Sequence, residues 1–107
     1  MTGEFAAPQD ITLIVTMSLK PDREAEFLAM ATEFIDWVHA NEPNTLLYVL
    51  TRHPSREHTY VWVERYRGES AMKARGSSDR IAEALTVVRE CLDGTPERLR
   101  LEQILPR

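Results

Sequence analysis

The segment Ile11 to Leu19 alternates Ile11, Leu13, Val15, Met17 and Leu19 with Thr12, Ile14, Thr16 and Ser18. Such an alternation, rich in β-branched side chains, belongs to a strand whose successive residues face opposite sides of a sheet. Both sides here carry apolar groups. Two later runs, Thr45 to His53 and Thr59 to Arg67, share that property, and on the second of them Tyr60, Trp62, Glu64 and Tyr66 oppose Val61 and Val63. A sheet of such strands has two faces to hide from water, so helices on one side still leave the other in need of cover.

The segments between the strands supply the helices. Lys20-Pro21-Asp22 places a proline near a helix start, and Glu24 and Glu26 put negative charge at the positive end of the helix dipole. Phe27, Ala31, Phe34 and Val38 then recur at helical spacing, and Asn41 and Pro43 stop the run, which predicts a helix over Asp22 to Ala40. Pro54 to His58 is a connection of hairpin length, so the second and third strands pair. Glu69 to Arg75 reads as a short helix closed by Gly76, and Asp79 to Leu92 as another with Ile81, Leu85, Val88 and Leu92 on one face, ended by Asp93-Gly94. Arg98 to Leu105 alternates once more, with Leu99, Leu101 and Leu105 opposite Arg98, Arg100 and Glu102. The order β-α-β-β-α-α-β predicts an α+β fold of the ferredoxin-like, split βαβ plan, with helices on one face of an antiparallel sheet. The remaining apolar face predicts a homodimer.

Size and charge bound the rest. With 107 residues the chain holds one core, assigned to residues 10–107 behind an N-terminal tail of residues 1–9. The net charge of −4 comes from interspersed acidic and basic residues, and no basic run could track a phosphate backbone, so nucleic acid is excluded as a partner. Apolar stretches such as Leu13 to Val15 or Leu46 to Leu50 fall far below the ~20 residues of a membrane span. Residues 1–10 lack the pattern of a secretory signal and Cys91 has no second cysteine to pair with, which together predict a cytoplasmic protein.

A first strand ending Leu19-Lys20-Pro21, a helix containing Phe27, the run Tyr48 to Arg52, the run Val63-Glu64-Arg65-Tyr66 and then Ala71 and Ser78 resemble the antibiotic biosynthesis monooxygenase-like family over about residues 10 to 105. The resemblance implies a dimeric α+β barrel, two ferredoxin-like subunits with their sheets facing each other and a pocket in each between sheet and helices. It also implies oxidation of a small phenol or quinone-like aromatic by O₂ without cofactor, metal or flavin. Arg75 stands where many members carry a histidine and the haem-degrading branch a tryptophan, and Leu85 where that branch has its haem-ligating histidine. Haem degradation is therefore disfavoured. A non-catalytic dimer that binds a small ligand or mediates an interaction is the alternative.

Candidate residues follow from the third strand. The face bearing Tyr60, Trp62, Glu64 and Tyr66 suits either a pocket for a flat ring or the dimer interface, where aromatic residues also concentrate. A buried Glu64 would have a raised pKa and accept a phenolic proton, or would pair with Arg65, Arg67 or Arg75. Arg75 could hold a phenolate or carboxylate, or serve as a solvated cation at a helix end. Tyr48 and Trp37 line the pocket or fill core. His39, His53 and His58 lack metal-ligand spacing, Cys91 is expected as a small buried helix residue, and no glycine-rich phosphate loop is present.

Overall fold

The computed structural model describes residues 9–106. Of the expected N-terminal tail, residues 1–8 lie outside that range. Strand β1 (Ile11–Ser18), helix α1 (Glu24–Asn41), strands β2 (Thr45–Arg52) and β3 (Thr59–Tyr66), helices α2 (Gly68–Gly76) and α3 (Asp79–Cys91) and strand β4 (Glu97–Glu102) follow in the expected order. A 3₁₀ turn over Pro21–Arg23 precedes α1, so the α-helix proper begins at Glu24 rather than Asp22. Proline suits this entry because its missing N–H would have found no helical acceptor.

All four strands form one sheet in the order β2-β3-β1-β4, with every neighbouring pair antiparallel. Alternate residues of β1, Ile11, Leu13, Val15 and Met17, are buried together with Tyr60, Trp62, Glu64 and Tyr66 of β3. Onto this face α1 sets Phe27, Ala31, Phe34 and Val38, all of them buried, and α3 sets Ala84, Val88 and Cys91. Each large apolar side chain so buried contributes about 1.5–3 kcal/mol. Ser78 caps α3 by accepting the Ile81 backbone N–H at 3.1 Å, worth about 1 kcal/mol. The far end of α3 is tied to the end of β1: Lys20 N–H donates to the Cys91 carbonyl at 2.9 Å and Asp93 N–H to the Ser18 carbonyl at 2.8 Å.

The opposite face of the sheet is bare. Val49, Val63, Ile14 and Leu99 stand side by side in one row that crosses all four strands, and Leu47, Val49, Leu99 and Leu101 are exposed.

Strand β4 departs from its expected form. It ends at Glu102 instead of Leu105, and every residue in it is exposed. Arg98 and Arg100 stand opposite Val15 and Leu13, while Leu99 and Leu101 stand opposite Ile14 and Thr12. The apolar side of this edge strand therefore belongs to the bare face, and its arginines share the face that the helices cover.

Candidate functional site

Between the covered face of the sheet and the helices lies a cavity of about 560 Å³. Its sheet wall includes Val15, Tyr48, Trp62, Glu64 and Tyr66, and its helical wall includes Phe34, Arg75 and Val88. The cavity decides between the two readings of the β3 face. Trp62, Glu64 and Tyr66 face the helices and not the bare side of the sheet.

Tyr48 reaches this wall through an irregularity. The register of β2 against β3 shifts between Thr45 and Leu47, after which Tyr48 pairs with Glu64 and Leu50 with Trp62. Unbroken alternation from Thr45 opposite Tyr66 would have turned Tyr48 to the other side; one extra residue restores it to the cavity. Tyr48 stacks on Trp62 with ring centroids 4.9 Å apart and an interplanar angle of 20°. Phe34 meets Tyr48 edge-on at 5.7 Å, and Phe27 meets Trp62 at 6.0 Å. Such offset and edge contacts are the geometries aromatic quadrupoles favour. Trp37, by contrast, stacks against Phe34 at 6.2 Å, packs partly buried against the core and is absent from the cavity lining.

The polar groups of the inner wall form a chain. Arg75 Nη1 donates to the Tyr66 hydroxyl at 2.8 Å, and that hydroxyl donates to Glu64 Oε1 at 2.5 Å. The expected solvated role of Arg75 does not hold, since the residue is only 5% exposed. Its guanidinium carbon sits 4.2 Å from the Tyr48 ring centroid and 4.7 Å from that of Phe34, and Nη1 lies 3.7 Å from Glu42 Oε1. Cation–π attraction and a distant carboxylate offset part of the cost of burying its charge. Its Nε has no partner among the described residues. Glu64 takes its hydrogen bond from Tyr66, while Arg65 pairs with Asp10 at 3.1 Å.

Burial pushes the Glu64 carboxyl above its ordinary pKa, against the opposing pull of the Tyr66 hydrogen bond and the Arg75 charge. Burial likewise raises the Tyr48 and Tyr66 phenols, so both stay protonated at neutral pH. The chain of groups thus consists of a fixed cation, a neutral hydroxyl able to donate and accept, and a carboxylate poised to take a proton.

Ile81, Leu85, Val88 and Leu92, the face expected for the last helix, all line the cavity. Arg89 and Arg98 line it as well, and neither was foreseen. Arg98 had been assigned by alternation to the polar side of its strand, and only the pairing with β1 shows that this side faces the cavity. Cys91 is buried as expected. Among the described residues no group of three or more His, Cys, Asp or Glu side chains is gathered as a metal site requires, and no helix is long and apolar enough to cross a membrane.

The model of the antibiotic biosynthesis monooxygenase family matches residues 10–87, a span that includes β1, β3, Tyr48, Tyr66, Glu64 and Arg75. The chain belongs to this family. Among solved structures it is similar to a candidate antibiotic biosynthesis monooxygenase from Caulobacter crescentus, at 27% identity and a TM-score of 0.88 over 96% of this chain and 97% of that one. A second candidate monooxygenase, from Nitrosomonas europaea, shares the fold at 14% identity and a TM-score of 0.84, with 92% and 94% of the chains covered. A Mycobacterium tuberculosis protein shares it at 20% identity and a TM-score of 0.80, over 89% and 95%. No curated protein matches the sequence. The α+β, ferredoxin-like architecture of the family is the one observed here.

Proposed function

We propose that this protein is a cytoplasmic, cofactor-independent monooxygenase-like enzyme acting on a small phenol or quinone-like aromatic. The observation that carries the reading is the Arg75–Tyr66–Glu64 chain set into the wall of an aromatic cavity. Trp62 and Tyr48 offer ring faces to a flat substrate, and the Arg75 guanidinium beside Tyr48 supplies a cation for a ligand oxygen. Glu64, its pKa raised by burial, is a better base than an ordinary carboxylate and takes the phenolic proton, directly or as Tyr66 passes its own proton on and accepts the substrate's.

The resulting phenolate is electron-rich, and Arg75 balances its charge. An electron passes from it to O₂, the two radicals combine at the activated carbon, and the hydroperoxide collapses with loss of water. In a hydroxyanthrone a CH₂ group and O₂ thereby become a C=O group and H₂O; in a hydroquinone a ring C–H becomes C–OH as the ring is oxidised to the quinone, again with one O₂ consumed and one H₂O released. Incubation with a panel of hydroxyanthrones and hydroquinones, with and without air, tests this through oxygen uptake. One O₂ consumed per substrate by the parent protein and none by Glu64→Gln is the expected result. Absence of uptake across the panel counts against it.

One observation favours the second reading, a non-catalytic ligand-binding dimer: the Tyr66 hydroxyl is already engaged on both sides, by Glu64 and by Arg75. Binding of the same phenols without oxygen uptake would select it. Under either reading we propose a homodimer formed through the bare sheet face, supported by the apolar row Val49–Val63–Ile14–Leu99.

A further inference from the structure

Two arginines that line the cavity, Arg89 in the last turn of α3 and Arg98 on β4, are exposed and have no carboxylate partner among the described residues. Arg23, Arg56, Arg65, Arg75, Arg80 and Arg100 each lie within ion-pair distance of an acidic side chain, whereas Arg52 and Arg67, which do not line the cavity, have no such partner among the described residues, as Arg89 and Arg98 have none. In a chain with 17 acidic and 13 basic residues, carboxylates are in surplus, yet these two cations line the cavity with none in ion-pair distance, the lining carboxylate Glu64 being engaged by Tyr66 instead. Two like charges facing one cavity disfavour each other until an anion arrives. Arg98 also acts on the interior, because its charge lowers the Glu64 pKa against the larger effect of burial.

The sheet sets the distances. Arg98 stands opposite Val15, which in turn stands opposite Trp62. With strands about 4.8 Å apart, the Arg98 backbone lies about 10 Å from that of Trp62 on the same face. A ring lying on Trp62 and Val15 with its hydroxyl at the Tyr66–Glu64 end would therefore carry a substituent on its far side to the reach of Arg98. A guanidinium fork matches a carboxylate in shape as well as charge.

We infer that the cavity takes an aromatic carboxylate, with the ring in the chamber and the carboxylate held at the rim by Arg98 and Arg89. This rests on the reading of the cavity as a site for flat aromatic ligands.

Titration calorimetry with three probes tests it: 2-naphthol, 6-hydroxy-2-naphthoate and the methyl ester of the latter. The hydroxynaphthoate should bind roughly tenfold tighter than the other two at low salt, the lower end of what a hydrogen bond to a charged group adds. Raising the ionic strength should shrink that advantage, because the rim is exposed. In the double variant Arg89→Gln, Arg98→Gln the advantage should vanish while naphthol affinity stays the same. Equal affinities for all three probes in the parent protein would overturn the inference and leave the aromatic site standing. An advantage that survives in the double variant would remove these two arginines from it. Binding of none of the probes would overturn the aromatic-site reading together with this one.

Discussion

The Tyr66 hydroxyl donates to Glu64 Oε1 at 2.5 Å, joining two side chains that share one face of β3. Because Arg75 Nη1 donates to the same hydroxyl at 2.8 Å, one oxygen satisfies both a buried carboxylate and a buried guanidinium. Its removal costs more than one ordinary hydrogen bond, since each group left behind keeps its desolvation penalty. Tyr66→Phe should lower unfolding stability by about 2–4 kcal/mol, read from urea midpoints at constant slope. The Glu64 pKa should rise further, as the hydrogen bond that now holds it down is gone. Carboxyl ¹³C shifts followed against pH would show this, and an unmoved titration would mean that Tyr66 does not govern the carboxylate.

Glu64 itself gives the fold a pH dependence of unusual sign. Its folded-state pKa lies above the ordinary 4.5, so between the two values the native state holds more of the proton than the unfolded chain does. Stability from this residue is complete below the ordinary value, falls as the pH rises through the interval up to the folded pKa, and stays low above it. Most surface carboxylates act in the opposite direction. Glu64→Gln keeps a carbonyl to accept from Tyr66 and removes the titration, so the difference in stability between variant and parent should grow in the variant's favour across that interval. Urea midpoints at a series of pH values measure it, and parallel curves would contradict the assignment.

How far the sequence carried depended on how local the signal was. Helix α1 was legible because Phe27, Ala31, Phe34 and Val38 recur at helical spacing and all four are buried. The covered face of β3 was legible as a face, but whether it met helices or a partner required the order β2-β3-β1-β4. Tyr48 reaches the cavity through a one-residue irregularity in β2, which leaves no trace in a pattern of apolar residues. Arg98 and Arg100 were assigned by alternation to one side of β4, but which side of the sheet that is required the pairing with β1. Arg75 stayed open between a ligand-holding and a solvated role for a related reason: a helix-end cation suits water by default, and its burial depends on Tyr48, Tyr66 and Phe34 arriving from three other elements.

Trp62 does double duty, and its variants should separate the roles. It is buried, stacked on Tyr48 and edged by Phe27. Trp62→Ala should therefore cost about 3–5 kcal/mol of stability through the void it leaves. Trp62→Phe retains a ring at smaller cost and is the better test of ligand contact. Naphthol affinity in that variant should fall by about 1 kcal/mol or less, and in Trp62→Ala, measured where it remains folded, by about 1–3 kcal/mol. Sedimentation equilibrium should show the oligomeric state unchanged in Trp62→Phe, because the side chain faces the helices; a loosened dimer with intact ligand affinity would reverse the assignment of faces.

Val63 is the corresponding probe of the other face. It occupies the middle of the row Val49–Val63–Ile14–Leu99, on the pleat opposite Trp62 and Glu64, so a change there reaches the bare surface and not the cavity. In a dimer built through this surface, lysine at the centre would bury an unpaired ammonium, a cost of several kcal/mol that a well-packed interface does not recover. In a monomer the same lysine side chain would extend into water with little effect on the fold. Val63→Lys should thus convert a dimer into a folded monomer at micromolar concentration while leaving naphthol binding in place. Sedimentation equilibrium of parent and variant checks both halves of the expectation. A monomeric parent would remove the bare face from the assembly, and a variant that stays dimeric would place the interface elsewhere on the molecule.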